Sequence, residues 1–145
     1  MSTIETEQPI KLTTEITPLT LIYTGEPIEK CNSSSCMYHE YLMFRNTLIK
    51  KLYTAMIEAF DGVIRFDIKK HNISVKVDWF SSKFNDDLFE YDLDKIKDSV
   101  RDVFQASGTI GRKDKLFGNN DFIEINKHFH EKEEDFFIVN VSYDI

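Results

Sequence analysis

The order of strand-like and helix-like stretches predicts an α+β fold. It is a single domain with a mostly antiparallel or mixed sheet and two main helices, in the order β-α-β-β-α-β-β. Three observations carry this. Phe44, Leu48, Leu52 and Met56 recur every four residues, and a second helical spacing runs from Leu93 to Phe104. Apolar and polar residues alternate in VIRFDI, ISVKVDWF and FFIVNVSYDI, the mark of strands with one buried face. The chain has 145 residues, 41% hydrophobic and 30% charged, with twelve Phe, which is enough for one core.

The elements follow in order. Residues 1–16 are polar and rich in Thr and Glu, and read as an arm preceding a domain over 17–145. PLTLIYTGEP predicts a strand from Leu19 to Tyr23, closed by Gly25 and Pro27. The Ser33–Ser35 cluster predicts a helix start, because a Ser hydroxyl accepts from a free backbone N–H. A long helix then runs from about Met37 to Phe60, its stripe widened by Tyr41, Ala59 and Phe60, with Gly62 as its stop. VIRFDI and ISVKVDWF predict a β-hairpin turning at KKHN. After the polar loop SSKFNDDLFEY comes a second helix, about Leu93 to Gln105, with Leu93, Ile96, Val100, Val103 and Phe104 on one face. GTIGRKDKLFGNN is a basic, Gly-containing loop. FIEINKHF and FFIVNVSYDI predict a last hairpin around EKEED.

Composition also excludes. The net charge of −7 argues against bulk electrostatic attraction to nucleic acid, although a local basic patch remains open. No apolar run is long enough to span a bilayer, and MSTIETEQPIKLTTE lacks the basic start and apolar stretch of a signal peptide. The expectation is a protein of the cytoplasm (for a viral protein, of the virion or host cytoplasm) with no membrane partner. Cys31, Cys36 and His39 give the spacing Cys-x4-Cys-x2-His, which matches no common zinc finger, even with His128 and His130 considered. No zinc is expected. The bland reading is a Ser-rich loop before a helix and surface histidines on a strand.

Asp92 and Asp94 open the second helix, and two readings stay open. In the first, Asp92 is an N-cap, acid in the first turn suits the helix dipole, and Asp94, Asp98 and Asp102 form a solvated stripe. In the second, Asp92 lies in extended chain before the helix and Asp94 in its first turn. Both carboxylates then reach one hard cation, which takes oxygen ligands.

Taken in order, the pieces resemble the RusA family of Holliday junction resolvases, over about residues 19–145. TGEPIEK is similar to the family's Gly-x-Pro-x-x-Lys turn after the first strand, through Gly25, Pro27 and Lys30. YDLDKIKD is similar to its strand-fed Asp-x-Asp at a helix start. The resemblance implies that Asp92 and Asp94 are catalytic carboxylates holding Mg²⁺ (or Mn²⁺), and that Asp102 fills a further acidic position. Where the family has Asn after the Asp-x-Asp, this chain has Lys95. The family's helix lysine falls on Asp98, with Lys97 next to it. The acidic pair before the next strand falls on Gly118 and Asn119, with Asp121 two residues on. The implied set is Asp92, Asp94, Asn119 and Asp121 at the metal, with Lys97 or Lys30 on the scissile phosphate. The implied activity is a metal-dependent endodeoxyribonuclease that resolves four-way DNA junctions as a homodimer, and the departures leave a degenerate site open.

Candidate phosphate contacts are Lys30, Lys69 and Lys70, and Arg112, Lys113 and Lys115 in GTIGRKDK. The alternative class is non-enzymatic: a viral or phage assembly protein of tail-terminator or connector type, or an acidic inhibitor or immunity protein, whose partner is another protein. Architecture and net charge suit that class, and the two motifs suit the nuclease.

Overall fold

The computed structural model describes residues 19–66, 73–85, 93–110 and 122–143. Strand β1 (Leu19–Thr24) leads to helix α1 (Tyr38–Phe60). Strand β2 (Ser74–Ser81) runs into a 3-10 turn at Ser82–Asn85, and helix α2 (Leu93–Ala106) precedes strands β3 (Ile123–Phe129) and β4 (Phe136–Ser142). The predicted α+β domain with two helices and a mixed sheet is the observed one. The element expected around VIRFDI is represented among the described residues by a parallel bridge from Phe66 to Ile110.

The helices form where the apolar spacing places them. Tyr41, Phe44, Leu48, Leu52 and Met56 are the buried face of α1, whereas Ala59 is exposed. In α2 the buried residues are Ile96, Ser99, Val100, Val103 and Phe104. The serine cluster acts one turn before the helix: Ser35 Oγ accepts from the Met37 amide at 3.1 Å, and Met37 itself caps α1 without a side-chain bond. The stop of α1 is Asp61 rather than Gly62. Asp61 sits in the left-handed region at φ 61°, its N–H donating to Ile57 O at 2.9 Å. Short polar side chains enter that region more easily than others, so the following glycine is not needed for it.

The sheet order is β1-β4-β2-β3, and it corrects both expected hairpins. β4 runs antiparallel to β1 and β2 and lies between them, while β3 pairs parallel with β2. Both edges of β2 are therefore occupied from Val75 to Phe80, so the described part of VIRFDI, residues 63–66, does not pair along that stretch, and β3 and β4 are not neighbours. Alternation tells which side chains face the core, not which strand lies alongside. A β2-to-β3 connection that contains a helix is long enough for a parallel crossover.

The core is the packed face of that sheet. Leu19, Val141, Val75 and Ile123 form one row in register, and Leu21, Val139, Val77 and Ile125 the next. Fully burying each such side chain contributes roughly 1.5–3 kcal/mol. A third row contains Phe137 and Trp79, both fully buried, with Phe84 edge-on to Trp79 at 4.9 Å. The Trp79 indole N–H donates to Asp135 Oδ2 at 2.9 Å, and Asp135 is itself only 6% exposed. No helix among the described residues is long and apolar enough to cross a membrane.

Two stability tests follow from these contacts. Asp135→Ala leaves a buried indole N–H without its acceptor, so it is expected to lower unfolding free energy by about 1–3 kcal/mol in urea titrations. Asp135→Asn, which retains an oxygen, recovers part of this loss. Asp61→Gly removes the Cβ from a left-handed position and is expected to raise stability by about 0.5–1 kcal/mol, read as a higher Tm.

Candidate functional site

The turn TGEPIEK is built against α2. Gly25 has φ 133°, a conformation that favours glycine, and a Cβ there would stand 3.2 Å from the Tyr23 ring, which would have to give by a few tenths of an ångström. Its N–H donates to Asp135 O at 2.7 Å, which fixes where the chain leaves β1. Pro27 is buried. The Ser99 hydroxyl donates to Ile28 O at 2.6 Å, and Lys30 Nζ lies 3.8 Å from Asp102 Oδ1. Ser99 and Asp102 are three residues apart on a helix, so they share a face. That face receives the turn. A cleft of about 400 Å³ lies between residues 26–31 of the turn, Met37 and Lys95.

Asp102 is the electrostatic centre of this contact. Its side chain is only 15% exposed, and the Tyr41 hydroxyl donates to it from α1. Arg45 Nη1 approaches the same oxygen at 3.4 Å, and Lys30 the other one from the turn. Two cations and a phenol therefore share one carboxylate, and three segments meet there. Burial first, and then the hydrogen bond to Asp102 and its negative charge, push the Tyr41 phenol well above its ordinary range. The solvated stripe expected for Asp94, Asp98 and Asp102 holds only in part. Asp94 is exposed in the first turn of α2, and Asp98 pairs with Arg101 at 3.5 Å. Asp102 is turned into the packed face against α1.

Of the predicted site residues, the structure describes Asp94, Lys97 and Lys30. Asp94 and Lys97 lie one helical turn apart near the start of α2. Lys30 is held at the Asp102 end of the same helix. Asp92, Asn119, Asp121, Lys69, Lys70, Arg112, Lys113 and Lys115 lie outside the described residues. Among the described residues no three His, Cys, Asp or Glu side chains are grouped to hold a metal ion. Cys31 and Cys36 are free thiols.

Sequence reasoning missed Tyr41 and Arg45. Their i, i+4 spacing on α1 places them side by side. Their partner lies 57 to 61 residues further along the chain, where no local pattern points to it. No family model matches this chain, and no curated protein matches it.

The raised Tyr41 pKa has a definite sign. The folded state holds the phenolic proton more tightly than the unfolded chain, so stability is full below about pH 10 and falls as pH rises beyond it. Tyr41→Phe is therefore expected to flatten the decline of Tm between pH 9 and 11, while costing roughly 1–2 kcal/mol at neutral pH through the lost hydrogen bond.

Proposed function

We propose that this protein is a RusA-like, metal-dependent endodeoxyribonuclease acting on four-way DNA junctions. One observation supports the reading most. The two motifs that carry the resemblance are far apart in sequence, yet they share one surface: the Gly25–Lys30 turn is bonded to α2 through Ser99, the residue after YDLDKIKD and 71 positions from Ile28, and Lys95 of that motif lines the cleft beside the turn. A strand-ending turn and a helix start with unrelated roles have no need to share a surface. The parallel β2–α2–β3 crossover further places Asp94 where the chain re-enters a helix after β2.

In this reading Asp92 and Asp94, with Asn119 or Asp121, hold Mg²⁺ or Mn²⁺. The donor set is all oxygen, three carboxylates and an amide, which suits a hard cation. Such an ion, when bound, lowers the pKa of a water and stabilises charge developing on a phosphate. Lys97, one turn beyond Asp94, neutralises a phosphate oxygen. Lys30 is drawn toward Asp102, so its part is to anchor the turn and lend positive charge at the rim of the cleft. Two copies acting on one junction give paired cuts.

The test is cleavage of a synthetic four-way junction in Mg²⁺ and in Mn²⁺, with Asp92→Asn and Asp94→Asn alongside. Asn caps a helix as well as Asp, so these variants keep the cap while weakening the site. Paired symmetric nicks are expected, reduced in both variants to the level of a metal-free control. An intact junction in every reaction, with all three proteins equally stable, would sink the nuclease reading in favour of a non-enzymatic protein that binds other proteins.

A further inference from the structure

Among the described residues, the sheet has a second face that the core does not use. Both helices lie over the side that carries Leu21, Val77, Trp79 and Val139. On the other side, Thr24, Phe136, Phe80 and His128 stand in register as one row across all four strands. The Phe80 and His128 rings stack at 4.5 Å and 17°. His130, just past β3, lies edge-on to Phe136 at 5.7 Å, and its Nε2 is buried with no hydrogen-bond partner among the described residues. The next row is Ile22, Ile138, Asp78 and Asn126, with Ile22 50% exposed. Asp78 Oδ1 lies 2.8 Å from His128 Nε2.

This apolar and aromatic strip has a rim that is negative on balance. The connection from β3 to β4 carries Glu131, Glu133 and Glu134 beside Lys132, all exposed, at the end of the sheet where the aromatic row stands. Within the face the Asp78 carboxylate lies beside His128, and Lys76 stands one row further on. The phosphates of a nucleic acid are repelled by such a rim. A lysine or arginine side chain matches it, because its methylene stem packs on aromatic surface while its head group stays with the carboxylates.

We propose that this second face of the sheet, from Phe136 through Phe80 to His128, all half-buried, is a docking surface for a basic segment of a partner protein. The stems of its Lys or Arg side chains lie on the aromatic row. Their head groups pair with the 131–134 glutamates. This surface is distinct from the cleft beside α2, and it stands whether or not the protein cleaves DNA.

The experiment is amide chemical-shift mapping on the full chain with three probes: a hexa-arginine peptide, a hexa-glutamate peptide and a ten-nucleotide oligothymidylate. Hexa-arginine should shift the amides of β2, β3, β4 and the 131–134 turn, and leave those around Asp94 and Asp98 unmoved. The combined change Glu131→Gln, Glu133→Gln and Glu134→Gln touches only exposed side chains, so it keeps the fold. It should weaken binding at least about threefold. Phe80→Ala, checked for an unchanged fold by its spectrum, should weaken it further. Shifts centred on Asp94 and Asp98, or binding unaltered by the glutamine changes, would overturn the proposal. So would tighter binding of the oligothymidylate to the same face, which would make it a stacking platform for bases instead.

Discussion

Asp135 joins three parts of the fold with one residue. Its carboxylate accepts a hydrogen bond from the Trp79 indole N–H, toward the end of β2. Its carbonyl takes the N–H of Gly25, where the chain turns away from β1. A tryptophan is fully buried at little cost only when its N–H finds a partner, and a carboxylate is buried only when its lone pairs are used. Here each group satisfies the other. Because Asp135 stands at the entrance to β4, the same bond pins the strand that lies between β1 and β2. The direction in which Gly25 to Lys30 leave the sheet, and so their meeting with α2, descends from that arrangement.

The contact between the turn and α2 is polar at one end and shaped by backbone at the other. Ser99 completes a carbonyl of the turn, which an apolar side chain could not do. Asp102 gathers Tyr41, Arg45 and Lys30, bringing charge into a place where only 15% of its side chain meets water. Carboxylates are rarely tolerated there without several partners. The result is a seat for the middle and second half of α2, with Asp94 exposed about two turns before Asp102. A helix held along its length by packed side chains and bonded at one face gives a carboxylate in its first turn a defined position.

What was legible in the sequence was what depends on period. The buried faces of both helices and of β2 and β4 follow from spacing alone, since 3.6 and 2 are properties of the backbone. Val75, Val77 and Trp79 were placed inside by alternation, and they are inside. Partner choice was not legible. VIRFDI and ISVKVDWF adjoin each other and alternate, which is what a hairpin requires, yet β2 gives its edges to β3 and β4. Nearness in sequence favours a hairpin only when nothing better competes for the edge, and two strands from the far end of the chain do. At the candidate site, Asp94, Lys97 and the Gly25–Lys30 turn were legible as motifs. Of the two readings of Asp102, the solvated stripe does not hold, because a helical wheel reports which side a residue occupies but not what arrives against that side. Tyr41 and Arg45 come from another helix and leave no local trace.

The pairing of β1 with β4 has a consequence for synthesis. Thr20 and Asn140 bond across 120 positions, so the first strand meets its neighbour only through the last. A ribosome releases Leu19 and Leu21 long before Val139 and Val141 exist. During that interval the emerging chain holds an unpaired, partly apolar strand with no sheet to join. Closing a loop of that length carries an entropy cost before any contact repays it, so the sheet assembles late and slowly for a domain of this size. The newborn chain is therefore most exposed to self-association before β4 emerges.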